Sequence, residues 1–176
     1  MPSDGRDGIR IGGRGWRCIS GYDHAPEHVA LYCKEAGTLI SGDMVLPRIS
    51  TNVSVYDIEP ESNALTLFLE SIDKFLPLDP ETLILPSHGK PFRGLHIRIG
   101  QLHDHHSDRL TEVMQACTAR PCSAADILPI MFKRKLDLHQ TTFAMGEAVA
   151  HLHALWFQSR LTRRLNPDGI YRFSAI

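Results

Sequence analysis

No two of the four cysteines (Cys18, Cys33, Cys117 and Cys122) stand in a CxxC spacing, so reduced thiols rather than a disulfide framework are expected. No apolar run approaches the length that crosses a bilayer, and no membrane partner is expected. The first ten residues, MPSDGRDGIR, are polar and lack the apolar core of a secretory signal, so the expected location is cytoplasmic. Internal repeats and low-complexity segments are absent as well. What remains is an ordinary soluble composition, with 43% hydrophobic and 22% charged residues and a net charge of −1. The one compositional excess is ten histidines. At 176 residues the chain can hold one domain, or a small domain with an appendage.

The N-terminal part reads as strands. Trp16 to Ile19, His28 to Cys33 and Thr38 to Ser41 are apolar or alternating, and Lys34-Glu35-Ala36-Gly37 is suited to a hairpin turn between the last two. Pro60 is expected to open a helix, with apolar residues at 65, 68, 69, 72, 75 and 76 in a 3.6-residue rhythm. Leu83-Ile84-Leu85 is a short buried strand stopped by Pro86. Strand, helix, strand in this order predicts an α/β layer. A second helix is expected from Gly94 to about Cys117, with a stripe of Leu95, Ile99, Leu102, His106, Leu110, Val113 and Cys117.

After residue 118 the chain changes character. Ser123-Ala124-Ala125-Asp126 fits a capping box for a short helix to about Met131. A longer helix from about His139 has an apolar face of Met145, Ala148, Val149, Leu152, Leu155 and Trp156. Arg160 to Leu165, the turn Asn166-Pro167-Asp168-Gly169 and Ile170 to Phe173 then read as a hairpin. Helix, helix, hairpin is the order of a winged helix, so residues 1–118 and 119–176 are expected to be separate domains.

Three loops combine polar residues with Gly or Pro directly after a strand: His24 in DHAPEH, Asp43 in ISGDMVLP and His88 in LPSHGKPFRG. Loops at one edge of a sheet converge, so His24, Asp43 and His88 could share a cleft. Two imidazoles and a carboxylate are the donors that Zn²⁺, Mn²⁺ or Fe²⁺ takes. His28 leads into a strand and is assigned a hydrogen bond that orients the His24 loop. Arg48, Lys90 and Arg93 lie just beyond these loops, placed to meet an anionic substrate.

This ordered set, with intervals of 19 and 45 residues, resembles the C-terminal half of the metallo-β-lactamase-fold hydrolases, including glyoxalase II-like enzymes. The resemblance covers roughly residues 10 to 115, and the tail is similar to the winged helix that some members append. It implies half of an αββα sandwich followed by a small α+β winged-helix-like domain. It also implies a two-metal site, zinc with manganese or iron as alternatives, in which His24 and His88 are terminal ligands and Asp43 bridges. The implied reaction is attack of a metal-activated water on an ester, thioester or related bond of a small-molecule substrate.

The family's HxHxDH motif does not occur in the sequence. His103-Asp104-His105-His106 is the only comparable cluster and sits mid-helix beyond His88. His106 is expected to be a packed, hydrogen-bonded histidine, with His103 and His105 solvated. Each metal is therefore offered at most two protein ligands, and loose binding and impaired turnover are expected of a truncated chain. An apolar sheet face without its partner layer further predicts association with a second copy or with the absent N-terminal segment.

Two other readings of the function stay open: an RNA-processing nuclease of the same fold, and an inactive fragment or interaction module. Residues 119–176 hold eight Lys or Arg against four Asp or Glu. The helix segment Thr142 to Phe157 has none of the eight, which argues against sequence-specific DNA binding. Contact with nucleic acid, if made, would be nonspecific.

Overall fold

The structure is a computed structural model that describes residues 8–22 and 27–176. It divides into two compact units. One takes its described residues from Met1–Thr51 and Leu67–Leu102, the other from Asn52–Thr66 and His103–Ile176.

The first unit is built on a five-stranded sheet in simple sequence order: β1 (Gly8–Ile11), β2 (Arg14–Gly21), β3 (His28–Cys33), β4 (Thr38–Gly42) and β5 (Leu83–Pro86). The first three pairings are antiparallel and β4–β5 is parallel. Between β4 and β5 comes helix α1 (Ala64–Asp73), the helical crossover that a parallel pair requires. Strand β1 was not anticipated from the sequence. All four of its residues are exposed, so no buried face marks it. Helix α1 also starts later than Pro60 suggests. Tyr56 to Ser62 instead form successive turns, with Glu59 N–H donating to the Tyr56 carbonyl and Ser62 N–H to that of Glu59, a setting proline suits equally well.

The pairing register puts Ile19, Ala30, Leu39 and Ile84 on one face, all buried. Helix α1 closes on the end of β2, where Ser71 Oγ accepts from Tyr22 N–H at 2.9 Å and Lys74 Nζ donates to the Ser20 carbonyl at 2.8 Å. Phe68, Ile72, Leu95, Ile99 and Leu102 are among the further buried apolar residues of this unit. The opposite face carries Val29, Leu31, Ile40 and Leu85 in neighbouring positions, and Val29 and Ile40 remain 53% and 37% exposed. A sheet with apolar residues on both faces is patterned for two covering layers.

Helix α2 (Leu95–Ala119) has the predicted stripe, with only Leu110 less than fully buried. Its later part belongs to the second unit with α3 (Ala124–Met131), α4 (Leu138–Phe157) and the hairpin β6 (Leu161–Leu165) and β7 (Tyr171–Ala175). Ser123 and Asp126 form the expected capping box, and Asp137 with Gln140 forms another at α4. Val113, Cys117, Ile127, Leu152, Leu155 and Phe173 centre this unit's core. Met145 and Val149 are only partly buried and line a surface cleft. All four cysteines are free.

Candidate metal centre

Strands β4 and β5 run parallel, so their carboxyl ends open on the same edge, the position where α/β sheets place ligands. Asp43 follows β4 and His88 follows β5, two residues past Pro86. The loops are tied together where they leave the sheet. Ser87 N–H donates to the Gly42 carbonyl at 3.1 Å, and Ser41 Oγ donates to the Val45 carbonyl at 3.0 Å.

Two glycines let the chain turn there. Gly42 has φ +57, and a Cβ at this position would lie 2.2 Å from Nε2 of His28. Gly89 has φ +88, and its Cβ would meet Pro47 Cγ at 2.7 Å. Any larger residue would be both strained and crowded.

The result brings Asp43 Oδ1 to 3.7 Å from His88 Nε2, with the carboxylate side chain 19% exposed and the imidazole 73% exposed. The gap exceeds a hydrogen bond. It is shorter than the sum of a Zn–N and a Zn–O bond of about 2.0–2.2 Å each, so one divalent ion can reach both atoms. In donor type and spacing the pair fits such an ion. Among the described residues no group of three or more metal-binding side chains occurs. The described part therefore brings together two candidate ligands, Asp43 and His88, and His24 lies outside the described residues. His28 packs its ring over Gly42, beside the residue that precedes Asp43.

Arg48, Lys90 and His88 line one cleft of about 530 Å³. Arg93 does not join them. Its guanidinium donates to the Glu81 carbonyl. An unpredicted residue, Arg98, braces the cleft: Nε donates to the Leu46 carbonyl at 2.6 Å and Nη2 to that of Ile49 at 2.9 Å. Burial pulls its pKa below the ordinary arginine value. Nothing in the sequence marks this role, because the acceptors are main-chain atoms some fifty residues away.

The second unit holds a different polar centre. His106 Nδ1 and His151 Nε2 are 3.2 Å apart, and His151 Nδ1 is 2.8 Å from the Glu147 carbonyl. A carbonyl only accepts, so His151 carries its proton on Nδ1 and accepts from His106 with Nε2. Both rings are fully buried. Burial pushes His106 down to about 3, helped by His151, and His151 down to about 4. Glu147 accepts from Asn52 Nδ2 at 3.2 Å, and burial raises its carboxyl to about 7. His106 was foreseen as a packed histidine. His151 was missed, although it lies three residues past Ala148, within a stretch of the helix, Ala150 to Leu155, that is buried throughout.

Residues 2–88 match the Metallo-beta-lactamase superfamily, and residues 110–176 match the metallo-beta-lactamase-like C-terminal domain. The chain belongs to the metallo-beta-lactamase superfamily. A beta-lactamase domain protein from Burkholderia ambifaria is 55% identical with a TM-score of 0.95, over 100% of this chain and 52% of that one. A metallo-beta-lactamase family protein from Thermus thermophilus is 27% identical with a TM-score of 0.83, over 100% and 54%. "Probable metallo-hydrolase YqjP" of Bacillus subtilis (strain 168) is 25% identical over 94% of this chain and 53% of its own length. The chain thus spans about half the length of these metallo-beta-lactamase relatives. Among the described residues no helix is long and apolar enough to cross a membrane.

Proposed function

We propose that this chain carries part of the active site of a metal-dependent hydrolase acting on an ester, thioester or related bond. The observation that carries the reading is the convergence of Asp43 and His88, 3.7 Å apart, at the carboxyl ends of two parallel strands. Asp43, His88 and, by the family resemblance, His24 would hold a divalent metal, with zinc favoured and manganese or iron as alternatives. When bound, such a metal lowers the pKa of a water and polarises the scissile group.

The residues of the chain do the rest. The partly buried Asp43 carboxylate is fixed by the Gly42 turn, so it meets an incoming cation without reorganising. His88, open to solvent, lies where substrate enters. The adjoining cleft gives the substrate a wall.

The exposed apolar face of the sheet supports a further part of the proposal. A second layer, from the family segment this sequence does not contain or from another copy, would cover Val29 and Ile40 and add ligands.

The test is zinc titration of the chain by calorimetry, beside D43N and H88A. Zinc should bind the unaltered chain and lose at least about tenfold in affinity in each variant. Hydrolysis of a short thioester should require the metal and fall with it. Equal zinc affinity in all three proteins would overturn the assignment.

A further inference from the structure

The cleft beside His88 is more specific than a metallo-hydrolase requires. Its volume, about 530 Å³, falls within the range of small-molecule sites. Five of its nine lining residues are Leu, Pro, Ile or Phe, and none is acidic. Both walls are pinned by main-chain bonds. Arg98 holds the carbonyls on either side of Arg48, at Leu46 and Ile49. Phe92 exchanges hydrogen bonds with Ile84 of β5, at 2.8 and 3.1 Å.

On these fixed walls Ile49 stays 63% exposed. Arg48 and Lys90 are also exposed. Among the described residues neither makes a hydrogen bond or ion pair, whereas Arg10, Arg93 and Arg98 of the same unit all have carbonyl partners. Two uncommitted cations on a preformed apolar cleft complement an anion attached to an apolar body.

We propose that this cleft selects an anionic amphiphile: an apolar chain or ring seated on Leu46, Ile49, Pro91 and Phe92, with a carboxylate or phosphate held by Arg48 and Lys90. The inference rests on the metallo-hydrolase reading for what becomes of the ligand, since His88 joins the cleft to Asp43. What the cleft binds is independent of that reading.

The experiment is calorimetric titration of the chain in EDTA, so that no metal contributes, with octyl phosphate, n-octanol and inorganic phosphate as probes. Octyl phosphate should bind at least tenfold more tightly than either of the others, and added salt should weaken it. The double charge reversal R48E/K90E should weaken octyl phosphate at least tenfold and change octanol less than twofold. Ile49→Ser should weaken both alkyl probes. The milder R48Q/K90Q covers the case in which charge reversal perturbs folding.

Octyl phosphate binding no better than octanol, or indifferent to both double variants, would overturn the proposal. The two readings fail separately. Octyl phosphate selectivity without zinc binding would leave the cleft and remove the metal centre. Zinc binding without that selectivity would do the reverse.

Discussion

Two regions of this molecule pair a histidine with a polar partner, and their surroundings send them in opposite directions. His88 stands at the rim of a sheet, 73% exposed, with a carboxylate 3.7 Å away. His106 and His151 are sealed in the second unit and bonded to each other and to a carbonyl. At the rim a ring nitrogen stays available for a metal or substrate, and removing it should cost little stability. Inside the core each ring nitrogen that bonds does so to satisfy the fold, and the neutral state is enforced by burial. The motif that looks most like a metal cluster on paper, His103 to His106, contributes a core residue. The ligand-like pair comes from two residues 45 positions apart in sequence.

The sharpest way to break this contrast is His151→Ala. It removes the acceptor of the His106 proton and leaves a cavity, and should cost about 2–4 kcal/mol in chemical denaturation followed by circular dichroism. A loss below about 1 kcal/mol would mean the pair is not structural.

A smaller effect comes from pH. His106 and His151 are held well below 6.5 in the fold. The unfolded chain therefore binds protons that the folded chain refuses, and their contribution, fully present above pH 6.5, is lost as pH falls below it. Two protons amount to about 2.7 kcal/mol per pH unit. His153, also lowered by burial, acts in the same direction. Glu147 works the other way. Raised from 4.5 to about 7, it keeps its proton in the fold, and stability is lost as pH rises through that window.

Between pH 6.5 and 4.5 His106 and His151 less Glu147 should thus give a net loss on acidification of about 1.4 kcal/mol per unit, to which His153 adds, with maximal stability near pH 6.5. Glu147→Gln should steepen the acid slope and stabilise the protein above pH 7 by about 1–3 kcal/mol. Denaturation midpoints from pH 4.5 to 8.5 check both. An unchanged slope in the variant would mean that Glu147 does not titrate in this window.

How far the sequence foretold these regions depends on the range of the interactions. Strands β3 to β5 and the stripe of α2 were legible because burial leaves a local period, and the Ser123–Asp126 capping box because its bonds close within three residues. The rim positions of Asp43 and His88 were legible too, since strand, Gly or Pro, and polar residue follow one another along the chain. Strand β1 escaped because it buries nothing. His151 escaped because Ala150 to Leu155 are all buried; a stretch of helix enclosed on every side has no face for a period to single out. The bracing by Arg98 depends on which carbonyls tertiary structure brings near, and side-chain patterns carry no trace of that.

The smallest predicted effect is also the one that separates the two regions most cleanly. His88→Ala removes a mostly exposed ring whose contact with Asp43, at 3.7 Å, is too long for a hydrogen bond. Its loss leaves no cavity, because the side chain already faces the cleft and solvent. The folding free energy should shift by no more than about 0.5 kcal/mol, measured in the same denaturation series as His151→Ala and without metal. With saturating zinc the gap should widen, because a ligand bound only by the folded state stabilises it the more, the tighter it binds, and the variant lacks half of the proposed ligand pair. A large loss in His88→Ala without metal would mean that the rim histidine is a structural residue like its buried counterparts, and the contrast between the two regions would collapse.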